Sequence, residues 1–263
     1  MIYILGMSHI RPVLDACSID GIGGQLPKIT GGGAPAFVDW ETIPGLLPDK
    51  VKAASIYIAQ IAPHWGPLLA QMTGPSVVGV TPGFQELLNT IDSTTPGNIL
   101  LVFMHGEEYH HMSVREYNAP YDFEIPSRSE LGFAPGRQVV PLESVKREAS
   151  FFLQKAIANF YAIRSFHPSL RIINVICPPP GDAGDIGQPA AHYVRLKNYL
   201  VYVDALREAT EAAGIETLLP PSSALTDEGL LRPEYVGDFV HGNTSYGALI
   251  VEQIKDLLTR GAV

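Results

Sequence analysis

The chain has 263 residues, enough for one large α/β domain or two small ones. Apolar residues make up 46% of it and charged residues 17%, which excludes a disordered chain and leaves ample material for a core. A formal net charge of −9, with no run of Lys or Arg, excludes a nucleic-acid footprint and disfavours binding to anionic membranes.

Residues 2–6 (Ile-Tyr-Ile-Leu-Gly) form a short apolar run, which predicts a buried parallel strand. Residues 18–50 are rich in Gly and Pro and carry little periodicity. A further strand is expected in 36–40 or in 76–80. Residues 99–104 (Ile-Leu-Leu-Val-Phe-Met) predict the next strand. Residues 142–164 place Val145, Ala149, Phe152, Leu153, Ala156, Ile157, Phe160 and Tyr161 at three-to-four spacing, which predicts a long amphipathic helix.

Residues 171–177 (Arg-Ile-Ile-Asn-Val-Ile-Cys) predict another strand, followed by an irregular loop over 178–190. A helix over 189–213 is expected to stop at Gly214, and a short strand over 215–219 follows. The last helix covers 244–259, with Thr244 or Ser245 as its N-cap.

Strands alternating with helices imply right-handed βαβ units and a parallel sheet covered on both faces. The expected architecture is a three-layer α/β/α sandwich with a flavodoxin-like central sheet, forming one domain over residues 1–263. No segment reaches the ~20 apolar residues that a membrane span requires. Cys17 and Cys177 have no metal-type spacing and read as small core residues, so a reduced, cytoplasmic setting is expected.

Ligands in open α/β sheets bind beyond the carboxyl ends of strands. Ser8, residues 105–111 and the 178–190 loop all fall there. In Gly6-Met7-Ser8-His9, the glycine lets the chain turn sharply, and Ser8 lies near a helix start whose N–H groups can hold an oxyanion. The plain alternative is that Ser8 merely caps that helix. Far downstream, Asp238-Phe239-Val240-His241 supplies a general base and a group to orient it. Its own alternative is ordinary loop polarity.

With Gly6, Ser8, Asp238, His241, Asn243, Tyr246 and Gly247 in this order, the chain resembles the SGNH (GDSL-type) hydrolases. In that family a Ser nucleophile follows the first strand, and a catalytic Asp-x-x-His precedes the last helix. The resemblance implies Ser8 as nucleophile, His241 as base and Asp238 as its orienter. Met7 and His9 place the chain nearer a Gly-x-Ser-His form than the Gly-Asp-Ser form. Gly6, His9, Gly106, Glu107, Glu108 and Asn243 are the implied oxyanion and pocket residues.

The middle of the chain departs from the pattern. The family carries an Asn after its third strand that donates to the oxyanion, whereas this chain reads Met104-His105-Gly106-Glu107-Glu108-Tyr109-His110-His111. Aligned one way Glu107 stands at the Asn position, and aligned the other way Glu108 does. The glycine of the family's second block has several candidates: Gly74, Gly79 or Gly31 to Gly33. The cluster His105, Glu107, Glu108, His110 and His111 also permits a metal reading, although the helical His-Glu-x-x-His spacing is absent. The glycine clusters at 21–24 and 31–33 do not open a helix after a strand, so no nucleotide site is expected.

The expectation is a hydrolase of a small ester, with an acetyl group on a sugar as the instance the resemblance suggests, using no cofactor and no metal. Its partner would be the small-molecule ester itself, with no nucleic acid and no membrane. The competing readings are a catalytically impaired binding protein that keeps the fold, and a metal-assisted hydrolase built on residues 105–111.

Overall fold

The structure, a computed structural model, describes residues 1–19, 36–47, 50–55, 69–74, 77–105, 121–181, 189–238 and 240–260. The strands, in chain order, are Ile2–Gly6 (β1), Val38–Trp40 (β2), Val51–Ser55 (β3), Ala70–Gly74 (β4), Val77–Val80 (β5), Ile99–Phe103 (β6), Tyr121–Asp122 (β7), Gln138–Val139 (β8), Arg171–Val175 (β9) and Glu216–Leu218 (β10). The α-helices are Ile10–Cys17 (α1), Pro82–Asn89 (α2), Leu142–Phe166 (α3), Pro189–Ala212 (α4) and Thr244–Arg260 (α5).

The central sheet runs in the order β10-β9-β6-β1-β3-β2. All its neighbours pair parallel except β2, which lies antiparallel on the edge against β3. With the parallel strands numbered along the chain, the order is 2-1-3-4-5, that of the flavodoxin-like doubly wound fold. The expected class, a parallel sheet between two helical layers, is what the chain builds.

Alternation along each strand creates the layers. Tyr3, Leu5, Leu100 and Val102 face α3 and α4, where they meet Leu153, Phe160, Leu196 and Tyr202. Ile2, Ile4, Ile99, Leu101 and Phe103 face α1 and α5, where they meet Val13, Leu14, Ile250 and Ile254. The strand interiors are apolar on both faces because both are covered. Each fully buried Leu, Ile or Phe contributes about 1.5–3 kcal/mol.

Several expectations shift. Both 36–40 and 76–80 contain strands, but neither is parallel: β2 is the antiparallel edge, and β5 pairs with β4 in a separate hairpin. The missing parallel strand is β3, whose sequence Val-Lys-Ala-Ala-Ser lacks the β-branched run that marks the others. The predicted strand over 171–177 ends at Val175. The last helix begins at Thr244, so its cap is the residue before, Asn243, whose Oδ1 accepts from Tyr246 N at 3.1 Å. Gly214 takes φ +66° just beyond α4, as a helix-terminating glycine does.

Between β7 and β8 the chain makes an excursion through a 3₁₀ segment, Pro126–Leu131. An ion pair of Asp122 with Lys197 of α4, each side chain 1% exposed, pins this excursion to the helix. Among the described residues no helix is long and apolar enough to cross a membrane.

Candidate functional site

The site forms where β1 gives way to α1. Met7 N donates to Phe103 O at 3.1 Å, continuing the β1–β6 ladder by one bond. The chain then turns, with Ile10 N donating to Met7 O and Arg11 N to Ser8 O. Gly6 is required by contact: a Cβ there would stand 2.6 Å from both Phe103 Cβ and Ile10 Cγ2. Ser8 is thus held at the carboxyl edge of the central strand. It does not cap α1, because His9 occupies the N-cap position without a side-chain cap bond. The Ser8 hydroxyl is engaged elsewhere.

That engagement is with His241. The Ser8 Oγ lies 2.7 Å from His241 Nε2. On the other side of the ring, His241 Nδ1 lies 2.8 Å from Asp238 Oδ2 and 2.9 Å from Oδ1. A carboxylate can only accept, so Nδ1 carries the proton and Nε2 presents a lone pair to the Ser8 hydroxyl. The three side chains form one hydrogen-bonded chain.

The 236–243 loop makes this possible through its own backbone. Gly237 N donates to His241 O at 2.8 Å, closing a tight turn, and Val236 bridges to Gly242. Asp238 Oδ1 accepts from Val240 N and His241 N, each at 2.8 Å. Partial burial opposes the charged form of Asp238. The Val240 N–H, the His241 ring and the His241 N–H outweigh that and hold its carboxyl below the usual carboxylate value. The Asp238 side chain is 51% exposed and that of His241 25%, so the chain of bonds opens to solvent at its Asp end.

Helix α5 brings this loop to Ser8. At Gly247 a Cβ would overlap the Pro12 carbonyl, so glycine allows α5 to lie directly on the backbone of α1. Asn243 serves the same docking: besides capping α5, its Nδ2 donates to Glu234 O at 2.8 Å and to Val236 O at 3.4 Å. Its amide is therefore engaged with the loop and with the helix start.

His9, the other pocket residue expected near Ser8, is 6% exposed. Its ring lies 4.8 Å from the His241 ring, tilted by 47°. Behind it is a small cavity lined by Val13, Phe103, Cys177, Gly242 and Tyr246. Gly106, Glu107 and Glu108 lie outside the described residues, as do His110 and His111.

His105 is described. It is buried in the α3–α4 layer, with Nε2 2.6 Å from Asn174 Oδ1 and its ring against Phe160 and Tyr202. Burial pushes its pKa down to about 4, against the Asn174 contact that favours the charged form. That environment holds a neutral core imidazole. Among the described residues no three His, Cys, Asp or Glu side chains converge as a metal site would need. The buried Asp122–Lys197 pair carried no sequence signal, because its members stand 75 positions apart in unrelated patterns.

No protein-family model matches the chain, and no curated protein matches it. Solved structures that match include a provisionally named acylhydrolase from Bacteroides fragilis, 13% identical, with a TM-score of 0.32 over 47% of this chain and 61% of that one. Another is a provisionally named platelet activating factor from Streptococcus pneumonia, 16% identical, with a TM-score of 0.34 over 58% of this chain and 90% of that one. The chain thus spans under two thirds of the first of these. At such scores neither likeness carries an argument about fold or function.

Proposed function

We propose that the chain is a serine hydrolase acting on a small ester through an acyl-enzyme. The observation that carries this is the hydrogen-bonded series Ser8 Oγ, His241 Nε2, His241 Nδ1 and Asp238, with each distance at or below 2.9 Å. Nucleophile, base and orienter stand in the order that acyl transfer needs.

Ser8 Oγ attacks the ester carbonyl while its proton passes to His241 Nε2. The resulting imidazolium is stabilised by the ionised Asp238. Backbone N–H groups at the β1–α1 turn, that of Ser8 first, hold the oxyanion. His241 then gives the proton to the leaving alkoxide. A water molecule, activated by the same imidazole, attacks the acyl-enzyme and releases Ser8. An acetyl group on a sugar is the substrate class that the sequence resemblance favours. A reducing, cytoplasmic setting suits the buried Cys17 and Cys177, with burial pushing the Cys17 thiol up to about 11.

The test is a fluorophosphonate probe with mapping of the adduct, alongside turnover of an aryl acetate. Labelling at Ser8 and turnover, both lost in Ser8→Ala, are expected. A folded wild type that is neither labelled nor active would leave a ligand-binding protein with an idle triad. The acidic residues at the expected amide-donor position favour that second reading. Glu107→Asn would restore a neutral donor and is expected to raise turnover by about ten-fold, given the usual worth of one such donor.

A further inference from the structure

We infer that His9 is a positioning residue that fixes the His241 ring against Ser8; the inference rests on the serine-hydrolase reading above. The backbone of the 236–243 loop is tied down by its own hydrogen bonds, but the His241 ring is held at Nδ1 by a carboxylate that is half exposed. Water competes for such a carboxylate, and one anchored edge leaves a ring able to rock. The ring needs a second, dry support.

His9 supplies it. Its ring is almost fully buried and lies 4.8 Å from that of His241 at a 47° tilt. His9 itself has little freedom. It is the N-cap of α1, with φ −66° and ψ −14°, and it follows Ser8 directly in the chain. The nucleophile and the support of the base are therefore consecutive residues, so one backbone turn sets both ends of the 2.7 Å Ser8–His241 contact. A ring that swings off this support takes Nε2 away from Oγ, and misplacement by about 1 Å can cost on the order of 10²-fold in rate.

A residue that only filled space between α1 and α5 would matter for stability and not for turnover. Three forms separate these roles: wild type, His9→Ala and His9→Phe, which keeps a flat ring without its nitrogens. The measurements are the rate of Ser8 labelling by a fluorophosphonate, kcat and KM for an aryl acetate, and the melting temperature. The expected result is a loss of roughly ten-fold or more in both labelling rate and kcat for His9→Ala, with KM nearly unchanged, and recovery of most of both in His9→Phe.

Should His9→Ala not fold, His9→Leu replaces it, since it fills similar space without a planar ring. Labelling and kcat at the wild-type level in the folded Ala or Leu form would overturn the inference. So would a His9→Phe form as slow as His9→Ala, which would assign the effect to the imidazole nitrogens. A wild type that Ser8-directed probes do not label removes the hydrolase reading, and this inference with it.

Discussion

His241 Nε2 and Ser8 Oγ lie 2.7 Å apart although 233 positions separate them in the chain. Two local devices produce this contact. Gly6 lets β1 run close against Phe103 before the chain turns to Ser8, and Gly247 lets α5 rest on the backbone of α1. The loop carrying Asp238 and His241 then arrives over the end of β1 as a consequence of helix packing.

Asp238→Asn tests the orienting bond. The Asn oxygen can still accept from the Val240 and His241 N–H groups, so the loop should keep its shape. Its NH2 group, however, replaces Oδ2, the oxygen 2.8 Å from Nδ1, and cannot accept there, so only the 2.9 Å contact to the already shared amide oxygen is left to hold the ring with a bare Nε2 toward Ser8. A loss of about 10²- to 10⁴-fold in kcat is expected, with KM little changed. The half-exposed site favours the lower end, because water can take over part of the role. Steady-state kinetics on an aryl acetate, with circular dichroism as the check on folding, decide it.

Gly247→Ala tests the packing that delivers the loop. The new methyl would collide with the Pro12 carbonyl and force α5 away from α1. Overpacking of this kind costs about 1–3 kcal/mol. The expected outcome is a lower melting temperature together with slower Ser8 labelling, because the same shift draws His241 from Ser8. A drop in stability with an unchanged labelling rate would show that the 236–243 loop holds its place independently of the helix.

The sheet and its helical layers were legible because strands buried on both faces read as continuous apolar runs. β1, β6 and β9 announced themselves in this way. β3 did not: Val51, Ala53 and Ala54 are buried, but alanine carries no strand signal, and Lys52 breaks the run. The juxtaposition of Ser8 with Asp238 and His241 could be anticipated only from the order of motifs along the chain, since a contact across 233 positions has no local signature. Asn243 shows the limit of such matching. Its place before the last helix suggested the pocket, and the motif gave no sign of the hydrogen bonds to Glu234, Val236 and Tyr246 by which it also caps the helix and braces the loop.

The Asp122–Lys197 pair offers a stability test away from the site. Lys197 Nζ also donates to Phe123 O at 2.9 Å and to Gly132 O at 2.8 Å, while Asp122 accepts from Phe123 N and Ala134 N. Lys197→Met strands a buried carboxylate and two carbonyls, and is expected to cost about 3–5 kcal/mol. The double form Asp122→Leu/Lys197→Met removes both charges and should be less unstable than the two single changes combined, by about 1 kcal/mol or more. Urea denaturation of the four forms gives the coupling directly. Additive effects would mean that the two charges stabilise the excursion separately.

The last prediction concerns pH and stability. Burial holds His105 neutral, with a pKa near 4 against an ordinary value of 6.5, and burial likewise lowers that of His167, whose Nε2 donates to Leu88 O at 3.0 Å. In the unfolded chain both imidazoles take up a proton as the pH falls below about 6.5, while in the folded chain His105 resists until about 4. Over that window the unfolded state binds more protons, so the stability of the fold is full above pH 6.5 and drains away as the pH falls toward 4. For His105 alone the whole window is worth about 3 kcal/mol, and the step from pH 7 to pH 5 about 2 kcal/mol. His105→Gln keeps a donor for Asn174 Oδ1 but does not titrate. Its unfolding free energy in urea should therefore fall less between pH 7 and pH 5 than that of wild type, by about that 2 kcal/mol, leaving the smaller slope due to His167 and the carboxylates. Equal slopes for the two forms would show that His105 takes up its proton in the folded chain as readily as in the unfolded one.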